Sequence, residues 1–347
     1  MARDILEMNM KFTRTKKLAF VNNKGGVGKT TLAFNCAVSF AQQGYKTVLV
    51  DLDPQCNLSR LALGEEYYIE HLFSPLEKTI YDVLRGVIEG GSDIDLHTAF
   101  IPVKASANLS LLKGDLNLSM FESLLGAAYG SAAGGQPLGY FQTSAIDRFL
   151  REKGLKEEVD IFVIDTSPSL GILNQTILLG TDYFVVPMMP DAFSVQGIEN
   201  LGTIYERWKN QWRVTAKALS GDTETKLVLS GDPLFIGYIV NSYNVYGGQP
   251  IADNRLWMQQ IPNHVRTYLS EKHCRNGLVE KSWKEPLQII QDYGKIPAKC
   301  QELGVAIFEL DASLIADYHQ GTKDNIEKSK EEFARLSQHI LQILAAY

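Results

Sequence analysis

Cysteine is scarce in this sequence, and no long hydrophobic run occurs in it. Four cysteines are spread over 347 residues, and they form neither a CxxC pair nor a metal-ligand spacing with histidines. This pattern argues against a zinc or iron–sulfur site and fits a reduced, cytoplasmic protein. No apolar run approaches the ~20 residues that span a bilayer, and the N-terminus lacks the apolar segment of a secretory signal.

An excess of positive charge is also absent. Lys and Arg number 34 against 40 Asp and Glu, so the formal net charge is −6. No global field therefore attracts the whole chain to nucleic acid or acidic lipid, and such contact needs a local basic patch. With 45% hydrophobic residues, the chain can nevertheless bury a large core.

The apolar residues form short runs that alternate with helical patterns. Strands are predicted at 18–22, 47–52, 108–112, 160–165, 183–188 and 235–241, and helices at 29–43, 195–212 and 254–272. The runs are apolar throughout, which is typical of parallel strands that helices cover on both faces. The alternation of strand and helix predicts an α/β fold, doubly wound, with a mostly parallel sheet.

We interpret residues 1–347 as a single domain with four distinctive segments. A short basic extension occupies 1–17, and insertions are predicted near 127–139 and 252–291. The first insertion is rich in Gly and Ala and has no periodicity, so it is interpreted as a loop. Apolar residues at helical spacing predict an amphipathic C-terminal helix at 324–347.

The strongest local signal is the sequence GGVGKTT at positions 25–31, between an apolar strand and a helix. Its glycines let backbone N–H groups approach phosphates closely, and the helix directs the positive end of its dipole at the same place. Lys29 supplies a point charge for the outer phosphates, and the Thr30 hydroxyl is placed to bind Mg²⁺. The predicted phosphate-binding residues are Gly25, Gly26, Val27, Gly28, Lys29, Thr30 and Thr31.

An additional lysine, Lys24, opens this loop, and KGGVGKT resembles the deviant Walker A motif of the ParA/MinD family of ATPases. The resemblance implies a P-loop fold that binds ATP and Mg²⁺ and closes as a homodimer. In that family the additional lysine reaches the nucleotide of the partner subunit, and Lys24 is expected to do the same. A cation supplied in this way offsets charge that develops during phosphoryl transfer, so hydrolysis would depend on dimerisation.

Two of the predicted strands end in carboxylates. The segment DLDPQCN at 51–57 is similar to the DxDPQGN segment of the family, with Cys56 in place of glycine, and by this comparison Asp53 positions the attacking water. Strand 160–165 ends in Asp165, which is the Walker B arrangement. The predicted catalytic residues are Lys24, Lys29 and Asp53. The predicted magnesium ligands are Thr30, Asp53 and Asp165.

Two later positions are expected to contact the base of the nucleotide. The strand at 235–241 resembles the family strand whose terminal asparagine contacts adenine, so Asn241 is the predicted base contact. A carboxamide suits this role because it donates and accepts hydrogen bonds at once. Pro297 is similar to a family proline that packs near the base, although Ala298 replaces the arginine that follows it there.

The resemblance favours an ATP-gated dimer of ParA type. Such a dimer binds double-stranded DNA without sequence preference, a ParB-like or other partner stimulates its hydrolysis, and the cycle positions plasmids, chromosomes or large cargo. The protein would then be cytoplasmic, and associated with the nucleoid when ATP is bound. Residues 255–300 are net +4, which suits phosphate contacts. Their basic residues are Arg255, Arg266, Lys272, Arg275, Lys281, Lys284, Lys295 and Lys299.

Three other functions remain open at this point. A MinD-like membrane switch would need a basic face on the terminal helix, but acids and bases balance there, so membrane binding is not expected. A regulatory ATPase that acts with a dedicated protein partner is also compatible with the loop. A metabolic P-loop enzyme would need spaced cysteines for an iron–sulfur cluster, or would usually lack Lys24.

Overall fold

The computed structural model describes residues 12–74, 76–219, 227–243, 245–246, 249–250, 252–273, 283–314 and 320–346. Its strands are β1 Lys16–Phe20, β2 Thr47–Leu52, β3 Ile101–Pro102, β4 Leu109–Leu112, β5 Ile161–Thr166, β6 Tyr183–Met188, β7 Leu234–Tyr243, β8 Val245–Tyr246, β9 Gln249–Pro250 and β10 Gln288–Gln291. Its α-helices are α1 Lys29–Gln42, α2 Asn57–Leu63, α3 Glu65–Glu70, α4 Ile80–Ile88, α5 Leu118–Ala133, α6 Pro137–Thr143, α7 Ala145–Lys156, α8 Ile172–Gly180, α9 Ala192–Ala218, α10 Ala252–Val265, α11 Glu271–His273, α12 Ile296–Leu303 and α13 Gln320–Ala346. A π-helical turn, Arg266–Ser270, joins α10 to α11.

Most of the strands form one sheet in the order β10-β7-β6-β1-β5-β2-β4-β3. All neighbours in it run parallel except the edge pair β3 and β4. The predicted doubly wound, mostly parallel sheet is therefore confirmed. In the register of the central strands, Asp165 of β5 lies beside Phe20 of β1 and Asp51 of β2, so the carboxyl ends of these strands meet at one edge.

Side chains of the central strands divide between two layers of helices. In β1, Ala19 joins the core on one face, under α4 to α10, whereas Leu18 and Phe20 join the core on the other, under α1, α2, α12 and α13. In β5, Phe162 and Val163 alternate in the same way. Because both faces are covered, both sets of alternating positions must be apolar, which explains the uninterrupted apolar runs.

The segment at 127–139 is not a loop, so that prediction is wrong. Its first seven residues complete α5, and α6 begins at Pro137 and packs against α5. A Cβ at Gly139 would lie 2.3 Å from the backbone nitrogen of Ala132 and 2.6 Å from the carbonyl oxygen of Ala128. Small residues let the two helices approach closely, but they give no hydrophobic periodicity by which the helices could be recognised.

The predicted terminal helix is present as α13. Its apolar face packs on α1 and β10, and Leu336, Ile340 and Leu344 are fully buried. These side chains are therefore part of the core and unavailable to a lipid surface. In the described part of the chain, no helix has the length and apolar character needed to cross a membrane.

Candidate nucleotide site

The loop between β1 and α1 requires glycine at two positions. Gly26 and Gly28 have φ angles of 74° and 85°, in the left-handed region that favours glycine. A Cβ at Gly28 would also lie 2.2 Å from Nδ2 of Asn241. The loop consequently places its backbone at the carboxyl edge of the sheet, directly before the N-terminus of α1, which is the geometry of an anion site.

Lys29 lies at the base of this loop with 6% of its surface exposed. Its Nζ donates a hydrogen bond to the carbonyl oxygen of Lys24 at 3.1 Å, within the same loop. Burial lowers the pKa of Lys29, and the carboxylates of Asp165 and Asp53 oppose that shift. The ammonium group is thus largely desolvated, and an anion in the loop would meet its charge with little screening by water.

A fully buried carboxylate stands beside the first turn of α1. The Thr30 hydroxyl donates to Oδ2 of Asp165 at 2.7 Å, whereas Oδ1 of Asp165 is buried without a hydrogen-bond partner among the described residues. Burial, with Asp51 nearby, raises the pKa of Asp165. An unpartnered carboxylate oxygen next to a hydroxyl is a hard-oxygen pair, which suits Mg²⁺ bound through few protein ligands and phosphate oxygens.

The two aspartates of β2 and its following turn have different surroundings. Asp53 is 5% exposed, lines the cavity in front of the loop, and accepts a hydrogen bond from the backbone N–H of Gln55 at 3.0 Å. Asp51 instead accepts the backbone N–H and the hydroxyl of Ser59, at 2.8 and 2.7 Å. Burial raises the pKa of Asp51 to about 6. Asp51 therefore fastens the first turn of α2, a role that the strand pattern alone did not identify.

Lys24 points away from the cavity of its own chain. Its Nζ forms an ion pair with Oδ2 of Asp191, the residue that caps the N-terminus of α9, and lies 5.8 Å from the ring centroid of Phe193. Asp191 also accepts the backbone N–H of Ser194 at 2.8 Å through its other oxygen. Lys29 and Lys24 therefore occupy different sides of the same loop.

The cavity has a volume of about 550 Å³ and is open to solvent in front of the phosphate loop. Pro297 of α12 lines it, as do Asn57 of α2 and Gln301 of α12, which the sequence analysis did not single out. Asn241 does not line it, because its side chain donates to the carbonyl oxygen of Val27 at 3.1 Å. A contact of Asn241 with the base stays a prediction, and in this structure the residue supports the loop.

The basic segment at 255–300 is only partly described. Arg266 is paired with Glu271 at 2.7 Å, and Lys299 is paired with Glu302 at 2.5 Å. Arg275 and Lys281 lie outside the described residues, as does the side chain of Lys272. Two of the basic side chains are therefore paired with acids, one of which, Glu302, lies just beyond the segment.

Known proteins resemble this chain over most of its length. Residues 15–217 match the family of AAA domains. The chain is 31% identical over 293 residues to the chromosome-partitioning ATPase Soj of Treponema pallidum. The aligned region covers 81% of this chain and 95% of that protein. It is 31% identical over 267 residues to an uncharacterized protein of Methanocaldococcus jannaschii, covering 75% and 88%. A shorter match, to the sporulation initiation inhibitor Soj of Bacillus subtilis, covers 54% of this chain and 63% of that protein at 29% identity.

Solved structures with the same fold include the following two. A protein of Corynebacterium diphtheriae superposes with a TM-score of 0.69 and 26% identity, covering 84% of this chain and 97% of that one. McdA of Cyanothece, solved as a variant in complex with ATP, superposes with a TM-score of 0.61 and 17% identity, covering 92% and 97%. At that identity the second comparison concerns the fold alone.

Proposed function

This chain belongs to the ParA/MinD family of P-loop ATPases, and we propose that it is an ATP-dependent dimerising switch of ParA type. In this proposal ATP with Mg²⁺ closes two copies around their nucleotides. The closed dimer binds double-stranded DNA of any sequence, and a partner protein stimulates hydrolysis. The cycle partitions or positions DNA or another large cargo.

The nucleotide part of the proposal is supported by the arrangement of the loop. Lys29 offers a desolvated charge, and the first turn of α1 offers backbone N–H groups to the phosphates. Thr30 and Asp165 would hold Mg²⁺, with Asp53 close by, and the ion would neutralise negative charge on the phosphate oxygens. Asp53, facing the cavity, would orient the attacking water by accepting one of its hydrogen bonds.

The observation that carries the dimer proposal is the position of Lys24. A second lysine in a phosphate loop would be expected to face the phosphates, yet this one is held outside the cavity by Asp191. Its side chain is 24% exposed and lies beside Asp191, which is 34% exposed. A cation in that place can serve the nucleotide of a second copy that docks on the same edge of the sheet.

Three alanine variants test ATP binding, ATP hydrolysis and dimerisation separately. Lys29→Ala should lose tight binding of a fluorescent ATP analogue, because its charge at the outer phosphates is not replaced. Asp53→Ala should bind ATP, hydrolyse it slowly and accumulate as a dimer in size-exclusion chromatography. Lys24→Ala should bind ATP but remain monomeric. The control is Lys104→Ala, at an exposed lysine outside the phosphate loop, and it should behave as the parent protein does. Dimers of normal activity from Lys24→Ala would show the cross-interface role to be wrong.

DNA binding is tested most directly with the Asp53→Ala protein and ATP in a gel-shift titration. Two copies of a weak basic patch on one dimer raise the effective concentration, so the nucleotide state should control binding. The logarithm of the association constant should fall by about 0.9 for each phosphate neutralised when the salt concentration rises tenfold. Charge reversal at Arg255 or Arg266 should weaken binding alike for unrelated sequences, and Lys104→Glu should not. The absence of any shift at low salt would contradict this part of the proposal.

A further inference from the structure

One wall of the nucleotide cavity is formed by the turn after β10 and by α12. The residues of this wall that line the cavity are Gly294, Pro297, Ala298, Cys300 and Gln301. When the phosphates of a nucleotide occupy the loop, the rest of the cavity leaves its nucleoside beside these side chains. We call residues 294–301 the nucleoside wall, and its placement decides how closely base and ribose can fit.

The nucleoside wall does not fix its own beginning. No side chain caps the first turn of α12, and Gly294 before it has a φ of 58°, in the left-handed region. The preceding residue, Tyr293, is 5% exposed and belongs to the same core cluster as Ile326 and Phe333 of α13. The start of the wall is therefore fixed through the side chain of Tyr293.

The hydroxyl of Tyr293 reaches a buried carboxyl group on the last helix. It donates to Oε2 of Glu332 at 2.6 Å, and Glu332 is 7% exposed. The other contacts of this group are longer, at 3.4 Å from the N–H of Gln291 and 3.7 Å from Nζ of Lys328. Burial, with Glu332 beside it, raises the pKa of Tyr293, so the hydroxyl keeps the proton that it donates. Because both groups have lost their hydration, this bond restrains the turn more than an exposed contact would.

A second set of contacts joins the end of β10 to the same face of α13. The side chain of Gln291 donates to Asn325 at 3.0 Å and accepts from Nζ of Lys328 at 2.6 Å. Asn325, Lys328 and Glu332 follow one another at helical spacings of three and four, which places them along one face of the helix. That face therefore holds both the end of β10 and the turn that leads into the nucleoside wall.

The far end of the nucleoside wall is held by other elements. A Cβ at Gly304, which ends α12, would lie 2.9 Å from the backbone nitrogen of Gly64. The N–H of Ile307 then donates to Asn35 of α1 at 2.8 Å. The wall is consequently fixed at both ends, and its beginning depends on α13.

We propose that Tyr293 and Glu332 are positioning residues for the nucleoside part of ATP. Their hydrogen bond holds the nucleoside wall at the distance from the phosphate loop at which it contacts base and ribose. Neither residue lines the cavity, so both act through the wall. The inference rests on the proposed function, because it requires ATP to fill the cavity.

The test compares the binding of ATP and of inorganic tripolyphosphate, each with Mg²⁺, by isothermal titration calorimetry on the full chain. Tripolyphosphate can occupy the loop but has no base or ribose. Tyr293→Phe keeps the ring in the core and removes only the hydroxyl. Its dissociation constant for ATP should rise about three- to tenfold, as expected when a hydrogen bond to a buried charged group is lost. Its dissociation constant for tripolyphosphate should not change.

Substitutions of Glu332 separate the hydrogen bond from the packing around it. Glu332→Gln keeps an oxygen that accepts from the hydroxyl and should bind ATP as the parent protein does. Glu332→Ala should resemble Tyr293→Phe. The matched control is Tyr140→Phe, which removes a buried hydroxyl that donates to the carbonyl oxygen of Thr215 at 2.6 Å in the opposite helix layer. It should leave the affinities for both ligands unchanged.

The two ligands distinguish positioning from a general loosening of the fold. An equal loss of affinity for ATP and tripolyphosphate in Tyr293→Phe would overturn the inference, and so would an unchanged affinity for ATP. A similar selective loss in Tyr140→Phe would overturn it too. A parent protein that binds neither ligand would contradict the proposed function and this inference with it. If the parent binds both ligands and Tyr293→Phe matches it, the inference alone is wrong.

Discussion

The ion pair between Lys24 and Asp191 is the contact at this site that dimerisation would have to break. Both side chains are partly exposed, at 24 and 34%, and such pairs contribute about 0.2–1 kcal/mol. The contact is therefore strong enough to hold Lys24 in a single chain and weak enough to be exchanged for a nucleotide on a partner. Asp191 can be changed without removing the cap of α9, because asparagine also accepts the N–H of Ser194.

Asp191→Asn should favour the ATP-bound dimer. The neutral amide no longer holds Lys24, so the dissociation constant of the dimer should fall about two- to fivefold, as expected for the loss of one exposed pair. Sedimentation velocity over a range of protein concentrations with ATP measures this shift. Asp191→Glu, which keeps the charge, is the control, and an unchanged dissociation constant in Asp191→Asn would mean that the ion pair does not restrain Lys24.

Ser59→Ala should destabilise the protein by about 1–3 kcal/mol, because it removes a hydroxyl that donates to buried Asp51 and accepts the N–H of Gly114. The hydroxyl stabilises the charged carboxylate, so its loss raises the pKa of Asp51 above its present value of about 6. A raised pKa in the folded state costs stability at pH values above it. The deficit relative to the parent should therefore be larger at pH 8 than at pH 5.

Urea unfolding at the two pH values measures that difference. Ser119→Ala, at an exposed serine, is the control and should change stability little at either pH. A deficit of equal size at pH 5 and pH 8 would indicate that Ser59 acts through packing alone.

At the scale of elements, the contact between α5 and α6 shows how composition can conceal structure. The segment at 127–139 has the composition of a loop, yet its alanines and glycines belong to two helices in close contact. The alanines of this segment favour a helix, whereas its glycines and its lack of a hydrophobic period indicate a loop. What decides the structure is that Gly139 allows the backbones to approach to a distance that any Cβ would prevent.

Gly139→Ala should destabilise the protein by about 1–3 kcal/mol, as overpacking against backbone atoms does. Gly130→Ala is the matched control in the same helix pair, because nothing lies within 4 Å of a Cβ at that exposed position. It should stabilise α5 by about 0.5–1 kcal/mol. Thermal unfolding of the two variants should thus shift in opposite directions, and equal shifts would contradict the close contact.

At the scale of the molecule, the last helix completes the core that the first helix begins. α13 packs on α1, and the N–H of Ile307, shortly before α13, donates to Asn35 of α1 at 2.8 Å. The terminal segment thus supports the helix that begins at the phosphate loop. Acids and bases of α13 are paired along the helix, Lys330 with Glu327 and Arg335 with Glu331, so the helix carries no basic face.

Ile340→Ala should cost about 2–5 kcal/mol of unfolding free energy, because the side chain is fully buried between α13 and its neighbours. Gln342→Ala, at an exposed position of the same helix, should be nearly neutral. Chemical unfolding followed by circular dichroism distinguishes them. If the two variants were equally stable, α13 would not be a core helix, and a lipid-binding role for it would have to be reconsidered.

The sequence by itself determined the features that depend on residues close together in the chain and on strands that are buried on both faces. The uniformly apolar runs predicted the covered parallel sheet, and the glycines with Lys29 and Thr30 predicted the loop before α1. The order of strand and carboxylate predicted that Asp53 and Asp165 would meet at one edge, because parallel strands end on the same side. These inferences need only the spacing of apolar residues along the chain and the parallel direction of the strands.

Only the tertiary structure decided which partners the side chains have across the fold. Lys24 meets Asp191, 167 positions away, and Asn241 turns to the backbone of Val27 rather than into the cavity. The helices α5 and α6 form because small residues fit each other in space. Such contacts depend on distances between elements that are far apart in the chain, and neither the hydrophobic period nor the identity of a residue specifies a distance.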